Sequence, residues 1–468
     1  LGAHRWPDRR EFLEAAAAAA VGLSFVPSRL DAQSASGLWA EADAILRRIT
    51  PPTIPDREFD IARYGATRDR GDATTAFRAA INACHDAGGG RVVVPAGRFV
   101  TGPIVLRSNV NLHLEKDAVV AFSQDARVYL PVVFTRYEGV ELMNYSPFIY
   151  AFEQENIAIT GTGTLDGQAD GSHWWPWRTE AIKPGAARDR LFAMGKRGVP
   201  VADRVFGDGS SMRPVFVQPY RCRRVLIEGV TILNSPMWEL NPVLCTNVTV
   251  RGVTIRSHGP NNDGCDPESC SDVLIEGCTF DTGDDCIALK SGRNTDGRRL
   301  HAPIENVIIR DCRMRDGHGG VVIGSEISGG ARYIFAERCH MDSPRLDRVL
   351  RFKSNAERGG VIERVAMRNI TVGEVAEAIV AADFYYEEGD TGAFTPVLRD
   401  VEVRNVTSRK SKYAFFLKGY ERSPLSDIRV TDCTFEGVEN ADVLQSVRNL
   451  TVSNVRVNGR LRNESISK

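Results

Sequence analysis

Several things are scarce in this chain of 468 residues, and each scarcity excludes something. No apolar run approaches the roughly 20 residues that a membrane-crossing helix needs. Net charge is nearly absent, because 59 Lys and Arg stand against 60 Asp and Glu. A general basic field that would attract nucleic acid or an anionic membrane surface is therefore missing, although a local cationic pocket is still allowed. Cysteine is present ten times, but without the close pairing typical of zinc sites. Over most of the sequence there are no helix-length segments between the apolar stretches, which excludes a globular α/β fold.

What is present is a short phrase used repeatedly. Val225-Leu-Ile-Glu-Gly-Val-Thr-Ile returns as Val248-Thr-Val-Arg-Gly-Val-Thr-Ile and as Val273-Leu-Ile-Glu-Gly-Cys-Thr-Phe, and later as Ile428-Arg-Val-Thr-Asp-Cys-Thr-Phe. Each copy centres on a small or polar residue: Gly229, Gly252, Gly277, Asp311, Arg338, Asn369, Asn405, Asp432 and Asn454, spaced 22 to 36 residues apart. Alternation with period two indicates strands. A spacing of this size indicates a solenoid, in which no unit can bury its apolar face alone. The expected fold is all-β, a single parallel β-helix.

The residue after each centre is Val, Ile or Cys, so Cys278, Cys312, Cys339 and Cys433 read as small hydrophobes in a core ladder. Cys265 and Cys270 fall outside that ladder and could pair. An open solenoid end needs a cap. Phe77, Ala80, Ile81 and Cys84 fall at helical spacing before Gly88-Gly89-Gly90, so residues 73–87 are expected to form a capping helix. At the N-terminus, Arg9-Arg10 followed by an Ala-rich run resembles a twin-arginine export signal over residues 1–32, implying a periplasmic or extracellular destination. Residues 33–58 would be an extension or cap, and residues 59–468 the β-helix.

Four motifs interrupt the repeat: Asn262-Asp263-Gly264, Gly283-Asp284-Asp285, Gly317-His318-Gly319 and Arg351-Phe352-Lys353. Residues one coil apart in a parallel β-helix lie about 4.8 Å from each other. Asp263 precedes Asp284 by 21 residues, and Asp284 and His318 both stand seven residues beyond their repeat centres. Three successive coils should therefore bring Asp263, the Asp284–Asp285 pair and His318 together. Arg351 and Lys353, at i and i+2, should point to one face of the next strand. Any one of these motifs alone reads as a turn or a solvated strand. Three crowded carboxylates are costly, raise at least one pKa, and have no structural reason to collect.

In these motifs the sequence resembles the polygalacturonases of glycoside hydrolase family 28, from Phe59-Asp-Ile-Ala-Arg-Tyr-Gly to the last coils. The family's Asn-Thr-Asp appears here as Asn261-Asn262-Asp263, and its Arg-Ile-Lys as Arg351-Phe352-Lys353. The resemblance implies a right-handed β-helix and single-displacement, inverting hydrolysis of α-1,4-linked galacturonan. Asp284 would be the general acid, and Asp263 and Asp285 would hold and deprotonate water. His318 would tune the acid or bind sugar. Arg351 and Lys353 would bind the uronate carboxylate, with Asn262 and either Tyr385 or Tyr386 also contacting substrate.

An inverting acid–base pair needs about 6.5–9.5 Å between carboxyls, which neighbouring coils could provide. Crowding is expected to raise the pKa of the acid. No cofactor or metal ion is implied. A long insertion, 168–213, carries Trp174, Trp175 and Trp177 and could wall off one end of a cleft, which favours exo action. Its tryptophans, like Trp238, could stack on sugar or simply pack. The alternatives are an endo-acting enzyme, a rhamnogalacturonan or xylogalacturonan hydrolase, a Ca²⁺-dependent polysaccharide lyase, and a non-catalytic carbohydrate-binding β-helix.

Overall fold

The structure is a computed structural model that describes residues 29–183 and 185–467, so most of the expected export signal lies outside the described residues. The chain divides into a short unit, residues 1–41, and a large one, residues 42–468. A helix, Arg29–Arg48, precedes the first strand, Glu58–Asp60. The large unit is a right-handed parallel β-helix, as expected. Its coils have three strand-bearing faces separated by corners.

The first face stacks Gly90–Val94, Val110–Leu114, Glu155–Gly161, Arg223–Glu228 and their successors up to Val447–Val457. The register is strict: Ile227, Val250, Ile275, Ile309, Ala336, Met367, Val403, Val430 and Val452 are paired in succession, and all are buried. Each fully buried Val or Ile in such a ladder contributes about 1.5–3 kcal/mol relative to exposure. The second face follows after one corner and includes Thr231–Leu233, Thr254–Ser257 and Thr279–Thr282. The third face carries Ile287–Leu289, Val321–Ile323, Arg348–Lys353, Ala378–Asp383, Tyr413–Lys418 and Val443–Gln445.

The repeat centres are the corner residues between the first and second faces. All nine lie in the left-handed region, with φ between 50° and 77°. This accounts for the Gly, Asn and Asp found there, since these residues tolerate that conformation best. A second left-handed column sits five residues earlier, at Arg224, Asn247, Asp272, Asn306, Tyr333, Arg364, Asp400, Asp427 and Asn449.

The cap is the helix Thr74–Asp86, whose Phe77, Ala80, Ile81 and Cys84 join the core. At the far end the last rung is covered by an antiparallel strand, Arg460–Ile466, rich in charge, which blocks further strand addition. All ten cysteines are free and buried. Cys278, Cys312, Cys339 and Cys433 occupy the ladder slot. The pairing considered for Cys265 and Cys270 does not form. Cys270 belongs to a different ladder, in which Cys222 N donates to Cys245 Sγ and Cys245 N donates to Cys270 Sγ (3.3 Å each). Cys265 is bridged to Leu240 and Ile287 on the neighbouring coils.

Candidate active site

The turns that lead from the second face into the third carry the site. Gly264 N donates to Asp285 O (2.9 Å), and Cys286 N donates to Gly319 O (2.8 Å). His318 N donates to Asp284 O (3.1 Å), so the three motifs stack coil on coil. Tight stacking explains the motif glycines. A Cβ at Gly283 would stand 2.5 Å from Gly259 O, and one at Gly317, where φ is +150°, would stand 2.6 Å from Asp284 O.

One carboxylate oxygen from each of Asp263, Asp284 and Asp285 lies within 4.8 Å of the others. The three side chains therefore converge on one point, as their spacing along successive coils predicts. Asp285 is fully buried and takes Lys353 Nζ on Oδ2 (2.5 Å) and Arg351 Nη1 on Oδ1 (3.4 Å). The expected cation pair is therefore present on one face and reaches the acidic cluster. The Tyr386 ring is 5.6 Å from the Arg351 guanidinium and 5.4 Å from Lys353 Nζ. Of the two adjacent tyrosines, Tyr386 is the one beside these cations. Tyr385 lies further along the face, next to Lys418.

His318 Nδ1 is 2.9 Å from Asp284 Oδ1. Burial pushes the Asp284 carboxyl up, but the His318 hydrogen bond, with the charges of His318, Lys353 and Lys290, outweighs burial and brings it to about 2. The same hydrogen bond holds His318 above its ordinary 6.5. Asp263 behaves in the opposite way. Burial, together with the facing Asp266 and Asp284, raises it well above the carboxylate range, and Lys290 at 3.7 Å offsets only part of this. Its Oδ1 has no hydrogen-bond partner. The crowding expected to raise Asp284 therefore acts on Asp263, because Asp284 has an imidazole partner and Asp263 does not.

Asn262 is corrected from a substrate contact to a turn-locking residue. It is fully buried, and its Oδ1 accepts from Ser257 Oγ and Gly259 N (2.7 Å each). Its Nδ2 donates to Ser235 O and Met237 O (3.1 Å each), so its amide has nothing left to offer a sugar.

Sequence reasoning missed a layer of buried charge beneath the triad. Lys290 Nζ lies 3.1 Å from Glu326, 3.6 Å from Asp266 and 3.7 Å from Asp263, above the Trp238 ring at 4.4 Å. Burial opposes its charge, but these carboxylates hold the ammonium above its usual pKa. Arg293 links Glu326 (3.2 Å) to Glu387 and Glu388. The only signal was Lys290 five residues after Asp285, which reads as an ordinary strand end.

A cation could be considered at the three aspartates. However, Lys353 and Arg351 occupy the two oxygens of Asp285 and His318 takes Oδ1 of Asp284, so a cation here would compete with two cationic side chains and an imidazole. A second cluster, His258, Asp281 and Asp316, is likewise engaged, with Asp316 held by Arg345 and Ser343 (2.6 Å each).

The insertion is docked, and its tryptophans pack it. Trp174 is buried against Tyr129, Phe148 and Trp177. Trp175 Nε1 donates to Ser235 O (2.9 Å), and Trp238 is buried beneath Lys290. Arg178 Nε and Arg213 Nη2 both donate to Asn261 Oδ1 (2.9 and 2.7 Å), two residues before Asp263. The segment thus meets the Asp263 coil at Asn261, while its helix Ala187–Lys196 reaches further along, with Phe192 4.2 Å from the Arg293 guanidinium and Lys196 3.8 Å from Glu357.

Comparison with known proteins agrees with this picture. The model of glycosyl hydrolases family 28 matches residues 206–457. The crystal structure of a hyperthermoactive exopolygalacturonase from Thermotoga maritima is 43% identical, with a TM-score of 0.88, and the match covers 92% of this chain and 98% of that one. A probable polygalacturonase of Vitis vinifera is 29% identical over 77% of this chain and 70% of its own length. An exo-poly-alpha-D-galacturonosidase of Dickeya chrysanthemi is 28% identical over 77% of this chain and 64% of its own length. With its three-faced β-helix and converging motifs, the chain belongs to family 28 of the glycosyl hydrolases.

Proposed function

We propose that this chain hydrolyses α-1,4-galacturonosidic bonds of pectin or polygalacturonate, removing residues from a chain end. The observation that carries the reading is a cluster of three carboxylates beside a buried cation pair and Tyr386. Arg351 suits a planar carboxylate, and Lys353 adds a point charge. A uronate docking there would share the cations with Asp285. The resulting loss of positive charge would raise Asp284 toward the protonated form that an acid needs.

In the free protein Asp284 and His318 share one proton across a 2.9 Å contact. An ionised Asp284 beside imidazolium, and a protonated Asp284 beside neutral imidazole, contain the same number of protons. Transfer from Nδ1 to Oδ1 therefore arms Asp284 to protonate the glycosidic oxygen without uptake from solvent. Water held between two carboxylates less than 4.8 Å apart is within hydrogen-bond reach of both. Asp263, whose Oδ1 is free, can take a proton from that water only once it is ionised, and in that form its raised pKa makes it a strong base. Asp285 orients the water and keeps the cations in place.

The insertion latched to Asn261 supports exo action, because it packs against the turn that carries Asp263 and would narrow a cleft there. Export to the periplasm or beyond, where pectin is met, rests on the Arg9-Arg10 segment. Among the described residues no helix is long and apolar enough to cross a membrane.

A second reading, double displacement, would need one of these carboxylates to attack the anomeric carbon, and the oxygens of Asp285 are already occupied by Lys353 and Arg351. A lyase reading fares worse, since Ca²⁺ takes 6–8 oxygen ligands and few are free here.

The test is product analysis on polygalacturonate, with ultraviolet absorbance and the anomeric proton signal followed from the first turnovers. Saturated galacturonic acid alone, released as the inverted anomer, is the expected result, and Asp284→Asn should abolish it while leaving the fold intact. A ladder of oligomers would overturn exo action, the retained anomer would overturn single displacement, and an unsaturated product would overturn hydrolysis.

A further inference from the structure

The third face does not stop being functional at Lys353. Its outward column continues in register through Asp383 and Lys418 to Gln445. Each rung advances about 4.8 Å, so Lys418 emerges about 10 Å beyond Lys353 on the same face. A pyranose chain advances by about half that distance per residue. A polymer that lays one uronate on Arg351 and Lys353 would therefore bring its second residue further on over Lys418.

What surrounds Lys418 is suited to a sugar acid. Its Nζ lies 5.1 Å from the Tyr385 ring and 5.9 Å from the Phe416 ring. Among the described residues it has no carboxylate within ion-pair distance, on a molecule where most cations are paired. Asp383, on the intervening rung, turns its Oδ1 back to accept from Tyr385 N (2.8 Å). Tyr385 is 37% exposed yet held firmly: it stands edge-on to Tyr420 at 5.0 Å, and its hydroxyl accepts from Gln445 Nε2 (3.1 Å). An exposed, fixed aromatic ring beside an unpaired ammonium offers an apolar surface for a sugar ring and a charge for its carboxylate.

We infer that Tyr385 and Lys418 form a distal uronate subsite, which binds the second residue beyond the one gripped by Arg351 and Lys353 and so sets a preference for longer oligogalacturonates. This rests on the galacturonan reading above. The direction follows from the latch of Arg178 and Arg213 on Asn261, which sits on the Asp263 side of the triad, whereas Tyr385 and Lys418 sit on the coils past Lys353.

The experiment measures kcat/KM on saturated di-, tri- and tetragalacturonate for the unaltered protein, Lys418→Ala, Lys418→Arg and Tyr385→Ala. Lys418→Ala should lower kcat/KM for the trimer and tetramer by about three- to tenfold, mainly through KM, and leave the dimer unchanged. Lys418→Arg should restore most of the loss, and Tyr385→Ala should show the same length dependence. A loss equal at every length, or none, with the unaltered protein fully active, overturns the subsite alone. Absence of turnover of any oligomer by the unaltered protein overturns the galacturonan reading and the subsite with it.

Discussion

Replacing His318 with glutamine removes the proton that the imidazole stores while leaving a side chain able to donate to Asp284. In the unaltered protein the pair holds one proton from about pH 2, where Asp284 beside imidazolium titrates, up to the raised pKa of His318, above 6.5. Across that window the fraction carrying the proton on Asp284 is constant, because the two arrangements differ only in where it sits. In the variant, Asp284 must take its proton from solvent. Losing the charge-assisted part of the bond, about 1.5–3 kcal/mol, raises Asp284 by about one to two units, into the ordinary carboxylate range. Above that range the protonated fraction falls about tenfold for each pH unit.

The expected result concerns a ratio rather than an absolute rate. Asp263 is present in both proteins, so its titration largely cancels in the ratio. Between pH 4.5 and 6.5 the variant's kcat/KM, divided by that of the unaltered protein, should fall about a hundredfold, two units at tenfold each. Initial rates of reducing-sugar release on trigalacturonate give both values, and a matched thermal melt confirms that the fold is retained. A ratio that stays flat across the window would refute the shared proton and reduce His318 to a sugar contact.

Two further perturbations act on stability. Glu239 is fully buried, and burial, with Asp266 and Asp284 nearby, raises it well above the carboxylate range. The folded protein then binds this proton more tightly than the unfolded chain, so stability is lost as pH rises above the unfolded value of 4.5. Glu239→Gln should raise the melting temperature at pH 8 and leave it unchanged at pH 4. Lys353→Met leaves Asp285 buried with only the longer Arg351 contact. Breaking a buried pair costs about 3–5 kcal/mol, and Arg351 should reduce this to roughly 2–4. Denaturant unfolding measures the loss, and adding Asp285→Asn should recover most of it.

Much of the architecture was legible because it repeats. The corner residues needed a left-handed backbone and the ladder needed small hydrophobes, so Gly229, Asp311 and Cys312 announced their places through composition as well as spacing. His318 could be placed over Asp284 because both stand at the same offset from their corners, and the contact is there. The second corner column was not legible: Arg224, Tyr333 and Arg364 occupy left-handed positions that their side chains do not favour, held there by the stacked coils. The choice between Tyr385 and Tyr386 depended on a loop beyond the strand Ala378–Asp383, where periodicity ends. Asn262 misled for a related reason. Its neighbour Asp263 joins the carboxylate cluster, but only the fold reveals that the asparagine's amide is used up inside the turn.

The buried charge layer shows why such residues escape sequence reasoning. A solenoid should face its interior with apolar side chains and its exterior with solvated ones, yet here Arg136 and Glu268 pair at 3.2 Å, both fully buried, and Lys290 is buried among Asp263, Asp266 and Glu326. Burying charges in this way gains little stability compared with apolar packing and is often unfavourable. What the layer does is fix the electrostatic setting of the triad. With one ammonium under Asp263 and another on Asp285, three carboxylates can crowd without all becoming neutral, and two remain available to hold water. A uronate arriving at Arg351 and Lys353 then changes that balance directly. The departure from the repeat is therefore greatest where the proposed mechanism has to sense a charged substrate and move a proton.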